Sequence, residues 1–151
     1  MTYRLRDARL EELADLSSLC LRSKAYWGYD DDFMAACVDE LTITPDDLAS
    51  DPIIVLEDER GLAGLAQVTF DDSGCYLEKL FVDTDRMGLG YGRALYAWSL
   101  TVARGMGAPE IVIEADPDAV AFYEKMGSVR AGNVPSGSVA GRTLPRLVHP
   151  L

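Results

Sequence analysis

Apolar residues recur along this chain with two different periods, and the changes of period divide it into elements. Residues 2–6, T-Y-R-L-R, alternate like a short strand, and Asp7 stands where a helix N-cap belongs, ahead of Leu10, Leu13, Leu16, Leu19 and Cys20. That spacing predicts a first amphipathic helix, which runs out near Gly28 in the aromatic connection S-K-A-Y-W-G-Y-D. A second helix over Asp31 to Leu41 carries Phe33, Met34, Cys37 and Val38 on its apolar side. Thr44-Pro45-Asp46-Asp47 starts a third helix of one or two turns, with a capping hydroxyl, proline in the first position and acids in the first turn.

From Pro52 the period shortens. I-I-V-L-E, L-A-G-L-A-Q-V-T-F and C-Y-L-E-K-L-F-V, separated by D-E-R-G and D-D-S-G turns, read as antiparallel strands. A helix follows from Leu89 to about Met106, with Leu95, Trp98, Leu100 and Val102 on its apolar side and Gly105 and Gly107 at its end. P-E-I-V-I-E-A-D is a strand, and D-A-V-A-F-Y-E-K-M-G is a short helix closed by Gly127. The remainder forms two strands around the P-S-G-S-V-A-G loop, Pro135 to Gly141. Strand 75–83, helix 89–106 and strand 109–115 make a β-α-β unit, so those two strands are predicted parallel with a right-handed crossover. The fold class is therefore α/β with a mixed, mostly antiparallel sheet.

The length of 151 residues suits one domain spanning 1–151, and no linker, repeat or low-complexity stretch divides it. A net charge of -11 repels polyanions, which argues against nucleic acid and anionic membrane surfaces as partners and allows a cationic substrate. No apolar run is long enough to span a bilayer, and Met1 leads into T-Y-R-L-R-D rather than a basic and then apolar leader, so a cytoplasmic protein is expected. Cys20, Cys37 and Cys75 are scattered and His149 is the only histidine, which points to buried free thiols and to no metal site.

The chemistry concentrates between Tyr76 and Arg93, where a strand runs into Gly88, Gly90 and Gly92 and then a helix. Glycines let a phosphate approach the backbone, and the helix N-terminus supplies unpaired N–H groups. A P-loop requires a lysine and hydroxyl pair after its last glycine, and none follows Gly92. A dinucleotide fingerprint requires a third glycine where Arg93 or Leu95 stands. A plain glycine turn without a ligand is the remaining alternative.

Met87-Gly88-Leu89-Gly90-Tyr91-Gly92, after L-F-V-D-T-D, resembles the pyrophosphate loop [QR]-x-x-G-x-[GA] of the GNAT superfamily of acyl-CoA-dependent N-acyltransferases, with Met87 in place of the usual Gln or Arg. D-P-D-A-V-A-F-Y-E-K-M-G-S is similar to that family's N-x-x-A-x-x-x-Y-x-K-x-G-F segment. Ala119, Tyr123, Lys125 and Gly127 match, while Asp116 and Ser128 depart from it. The order of elements agrees over nearly the whole chain. The resemblance implies a GNAT-type fold with helices on both sheet faces, acetyl-CoA bound between two parallel strands that splay apart, and direct attack by an amine in a ternary complex. It also implies that Leu80, Phe81 and Val82 hold the pantetheine arm. Backbone N–H groups from Met87 to Arg93, with Arg86 and Arg93 as cations, hold the pyrophosphate, and Asp116 stands at a cofactor-contact position.

Tyr123 falls on the family's general-acid position, although a helix aromatic can also simply pack on the sheet. Alternation puts Glu78 on the strand face of Leu80 and Val82, making it the candidate base. The alternative is an exposed glutamate paired with a cation such as Lys79. Tyr26, Trp27 and Tyr29, in the connection between the first two helices, and Tyr76 on the strand are candidates for holding an amine by cation–π contact, or for sealing a core edge. These readings predict an N-acetyltransferase acting on a primary amine of a small molecule or polypeptide, and the resemblance allows a homodimer. The alternatives are an acyl-CoA sensor without turnover and an interaction domain that binds no ligand.

Overall fold

Ile53, Ile54, Val55 and Leu56 are all buried, which requires a strand covered on both faces. Ile53 and Val55 pack with residues of the first two helices, whereas Ile54 and Leu56 pack with the helix that follows the glycine loop. The computed structural model describes residues 2–151. Its elements are β1 (Tyr3–Asp7), α1 (Leu13–Ala25), α2 (Asp31–Leu41), α3 (Pro45–Ser50), β2 (Ile53–Asp58), β3 (Gly61–Asp71), β4 (Gly74–Val82), α4 (Tyr91–Gly105), β5 (Glu110–Glu114), α5 (Val120–Lys125), β6 (Val129–Pro135) and β7 (Thr143–Pro150). The strands form one seven-stranded sheet in the order β1-β2-β3-β4-β5-β7-β6. All neighbours are antiparallel except β4 and β5, so the predicted mixed α/β class and the parallel pair are present.

Local chemistry accounts for most boundaries. Asp30 caps α2 by accepting from the Phe33 N–H at 2.8 Å, and Thr44 and Asp47 cap α3 reciprocally at 3.1 and 2.9 Å. In α4, Tyr91, Leu95, Tyr96, Ser99, Leu100 and Ala103 form the buried stripe, spaced as one helical face requires. Truncating a fully buried member such as Leu95 to alanine removes about 2–5 kcal/mol.

Two boundaries differ from the sequence reading. Asp7 is not a helix cap; it ends β1 opposite Ile54. The chain then makes a 3₁₀ turn over Leu10–Glu12, where the Glu12 carboxylate accepts from the Arg9 N–H at 2.8 Å and from the Arg6 guanidinium at 2.8 and 2.9 Å. Helix α4 begins at Tyr91 rather than Leu89, because Gly90 sits in the left-handed region at φ 84°. Residues 84–86 form a separate 3₁₀ turn before the glycines.

Two features of β4 create the site. Its parallel pairing with β5 is registered only at Tyr76 and Val112, so towards Val82 the two strands part. Its pairing with β3 shifts between Gln67 opposite Lys79 and Val68 opposite Leu77, leaving Glu78 as the extra residue of a β-bulge. The bulge resets the alternation: Leu77, Leu80 and Val82 all pack into the core beneath α4, while Phe81 packs with α1 and α2. Glu78 therefore does not share the face of Leu80 and Val82, contrary to simple alternation.

Candidate active site

The split between β4 and β5 opens into a cavity of about 540 Å³ that reaches from the glycine loop to α2 and the β6–β7 loop. Leu80, Phe81 and Val82 line its β4 wall, and Met87, Gly88, Gly90, Tyr91, Gly92 and Arg93 line the end beside α4. On the β5 side, β4 has no ladder partner beyond Tyr76 among the described residues, so main-chain groups along this wall remain available to a ligand.

The glycines divide their work. Gly88 and Gly90 adopt φ 81° and 84°, with open space where a side chain would begin. Gly92 has an ordinary helical backbone, and a Cβ there would come within 3.2 Å of the Phe122 ring. The first two shape the turn, and the third lets α4 approach α5. No side chain caps α4 and no acid occupies its first turn, so its N-terminal N–H groups and positive dipole end are free to meet an anion.

What holds this loop is a buried ion pair that the sequence reading assigned otherwise. Arg86 does not offer its guanidinium to a phosphate. Its Nη2 donates to Asp58 Oδ1 at 3.2 Å, its Nη1 donates to the Leu62 carbonyl at 3.2 Å and to Asp85 at 3.3 Å, and only 5% of the residue is exposed. Asp58 Oδ2 accepts from the Tyr91 hydroxyl at 2.9 Å. One carboxylate thus fastens the residue before the loop and the first residue of α4. Burial pushes the Asp58 pKa up, but hydrogen bonds from the Arg60 N–H, Tyr91 and Arg86 outweigh it and hold the group below its ordinary value. Arg93 is exposed, lines the cavity and makes no ion pair among the described residues, as is also true of Lys125, so each is a cation available here. Leu89 is exposed outside the lining, whereas Met87 borders the cavity with 37% of its surface exposed.

Tyr123 and Glu78 both line the cavity. Tyr123 is buried as a residue, but its hydroxyl makes no hydrogen bond among the described residues and is not sealed off, so it opens into the cavity. Burial pushes its pKa well up, with Tyr96 and Asp116 adding to the shift, so the phenol keeps its proton at neutral pH. Glu78 opens onto the cavity and is still exposed as a residue, and partial desolvation of its carboxylate beside the cavity walls raises its pKa. The Lys79 charge opposes that shift, while Glu40, Glu114 and Asp51 add to it. A carboxylate raised in this way is a stronger base than an ordinary surface glutamate.

The remaining candidates separate. Trp27 lines the cavity, while Tyr26 is 56% exposed and meets Trp27 edge-on at 5.2 Å. Tyr76 lies at the closed end of the split, and its hydroxyl is bonded to Ser73 Oγ at 2.6 Å, so it faces the β3–β4 turn rather than an acceptor. Asp116 does not present a free carboxylate to a cofactor. Its Oδ2 accepts from Lys24 at 2.8 Å and from the Tyr29 hydroxyl at 2.6 Å, and its Oδ1 accepts from the Asp118 N–H at 3.0 Å. Burial raises the Asp116 pKa, but these hydrogen bonds more than offset it and hold the group low. Arg142 completes the cluster, donating to the Tyr29 hydroxyl at 2.9 Å with Asp116 at 3.6 Å. Sequence reasoning missed Asp58, Lys24 and Arg142; the only local signal was that residue 116 is Asp rather than Asn.

A mixed sheet with one split parallel pair, and an uncapped helix behind a glycine turn facing the split, is the α/β arrangement that the family resemblance implied. The chain matches the model of the Acetyltransferase (GNAT) family over residues 10–128 and belongs to that family. No curated protein matches at the level of sequence. Among solved structures, the chain superposes on a GCN5-related N-acetyltransferase from Rhodopseudomonas palustris with a TM-score of 0.84 at 19% identity, covering 100% of this chain and 97% of that one. It also resembles the PaiA N-acetyltransferase from Thermoplasma acidophilum in complex with coenzyme A, with a TM-score of 0.79, 14% identity and 100% of both chains covered. The ribosomal-protein-S18-alanine N-acetyltransferase from Escherichia coli gives 0.71 at 18% identity, over 99% of this chain and 94% of that one.

Proposed function

We propose that this chain, acting as one domain, transfers an acetyl group from acetyl-CoA to a primary amine. The observation that carries the proposal is the continuous cavity in which the open N-terminus of α4, the unpaired edge of β4, Glu78 and Tyr123 meet. The residues present fit the cofactor. Gly88 and Gly90 leave open space above a left-handed turn, the uncapped N–H groups of α4 suit a pyrophosphate, and Arg93 adds a free cation. The edge of β4 near Phe81 and Val82 suits an extended arm carrying amides.

When bound, the thioester supplies an activated acyl group. The chain supplies the proton handling and orientation. Glu78, made more basic by its walls, accepts the proton of the incoming ammonium directly or through water. Tyr123, protonated at neutral pH and without another partner, donates to a departing thiolate. Main-chain N–H groups on the open edge of β4 are positioned to meet negative charge as it develops. No Cys/His pair is needed, since Cys20, Cys37 and Cys75 are buried and their partners do not include His149.

Isothermal titration with CoA followed by a thiol-release assay over an amine panel tests the proposal. Binding with turnover supports it. Binding without turnover on any amine leaves a sensor, and absence of binding at millimolar CoA removes the acyl-CoA reading.

A further inference from the structure

Asp116, Lys24 and Arg142 line the same cavity as the glycine loop, and no step of the acetyl transfer described above uses them. The Asp116 cluster gathers Lys24 from α1, Tyr29 from the α1–α2 connection and Arg142 from the β6–β7 loop, across 92, 87 and 113 residues of sequence among its hydrogen-bonded pairs. Lys24 and Arg142 both line the cavity, and their side chains are only 15% and 19% exposed. Two cations share a single carboxylate, so the cluster keeps a net positive charge in a partly desolvated setting. That charge is held in place: Tyr29 stacks on Phe33 at 3.9 Å, and both cations sit over these rings at 4.7 to 5.8 Å.

The charge matters because the protein as a whole is strongly acidic and the same cavity is lined by Glu40, Glu78 and Glu114. A simple alkylamine or polyamine would satisfy those glutamates and leave Lys24 and Arg142 facing a second positive charge or nothing. An acceptor with an ammonium at one end and a carboxylate at the other satisfies both. The aromatic support also fixes the two cations before a ligand arrives, which lowers the entropy lost on binding it. Arg142 and Tyr29 further tie together two segments that border the cavity, the α1–α2 connection and the β6–β7 loop, which favours a small acceptor over a polypeptide.

We propose that the acceptor is a small amino acid zwitterion, its ammonium directed to Glu78 and its carboxylate bound by Lys24 and Arg142. This rests on the acetyl-transfer reading and assigns its substrate class. In the reaction, the acceptor ammonium loses one proton to Glu78, the resulting amine forms the amide bond as the carbon–sulfur bond breaks, Tyr123 gives its proton to the sulfur, and the second proton leaving the nitrogen restores the phenol, so that one proton in all passes from Glu78 to solvent. The carboxylate is unchanged.

The test measures N-acetylated product by mass spectrometry at fixed acetyl-CoA for natural and ω-amino acids, each beside its own carboxamide, with simple alkylamines as a third set. The free acid of the best pair is expected to exceed its carboxamide by roughly 10- to 100-fold in kcat/KM, the loss that follows from removing a charge-assisted contact. Arg142→Met is expected to erase that ratio by raising KM for the acid while leaving the carboxamide unchanged, and Arg142→Lys to restore part of it. Should Arg142→Met unfold, the wild-type ratio alone decides. Carboxamides or alkylamines that equal or exceed the acids throughout overturn the assignment and leave acetyl transfer standing. An equal rise in KM for acid and carboxamide in Arg142→Met overturns it as well. Absence of CoA binding removes both readings.

Discussion

Replacing Asp58 with alanine removes the anion that fastens both ends of the glycine loop. The side chain is fully buried, and it is the one fully enclosed partner of Arg86, whose other ion-pair partner, Asp85, is 49% exposed. Breaking a buried pair by deleting one member costs about 3–5 kcal/mol, because the surviving charge stays in a poorly solvated place. Arg86 Nε already lacks a hydrogen-bond partner among the described residues, so this guanidinium has little reserve. For a chain of this size the loss corresponds to a fall in Tm of about 6–20 °C, or of roughly 2 M in the urea midpoint. Because Arg86 and Tyr91 bracket residues 87–90, CoA affinity is expected to weaken by about tenfold or more as the loop loses its common anchor. Asp58→Asn with Arg86→Met should recover most of the stability, since a hydrophobic replacement leaves no orphaned charge.

The pH dependence has a definite sign. The folded-state pKa of Asp58 is depressed, so its contribution is fully present above the ordinary carboxylate pKa of about 3.9 and is lost as pH falls through the folded value. The stability gap between wild type and Asp58→Ala should therefore be constant near neutrality and close below about pH 4. Urea melts at several pH values, paired with CoA titrations, measure both effects. A stability loss below about 1 kcal/mol, or a large loss with CoA affinity unchanged, would refute the anchoring role.

Other outcomes follow from the site. Tyr123→Phe is expected to lower kcat by about 10²- to 10⁴-fold with CoA affinity intact; unchanged turnover removes the phenol from the mechanism. Glu78→Gln should abolish the acidic limb of the kcat/KM profile. Because the folded pKa of Glu78 is raised, its carboxylate is a burden at neutral pH that is relieved as pH falls through that value, so the same variant should be more stable than wild type near pH 7 in urea melts. Gly90→Ala should cost about 1–2 kcal/mol through its positive φ and weaken CoA binding, as seen by titration. Gly92→Ala should disturb the α4–α5 packing through Phe122 instead, seen as lost stability with the turn preserved.

Much of the architecture was legible because it is written in local periodicity. The Thr44 capping box, the β-α-β unit and the three glycines each depend on residues close in sequence, and each appears where the pattern put it. The failures share a physical cause. The bulge at Glu78 is an accommodation between β3 and β4 that no single strand encodes, and it moved the candidate base to another face. Arg86 looked like a phosphate ligand because it stands beside the glycines, yet its partner Asp58 lies 28 residues earlier. Asp7 resembled a cap, but the adjacent Ala8 N–H donates to the Ile53 carbonyl and keeps the chain on the sheet edge. Pairing with residues distant in sequence, by main chain or side chain, decides such cases, and it leaves no trace in a window of neighbouring residues.

The cradle beside α4 is shaped by main-chain torsion rather than by side-chain chemistry, and this sets which changes it can absorb. A saturation library across residues 87–90 should return almost any amino acid at 87 and 89 and only glycine at 88 and 90. Selective pressure on this loop would then register as conformational, and two chains could share its function while sharing hardly a side chain within it.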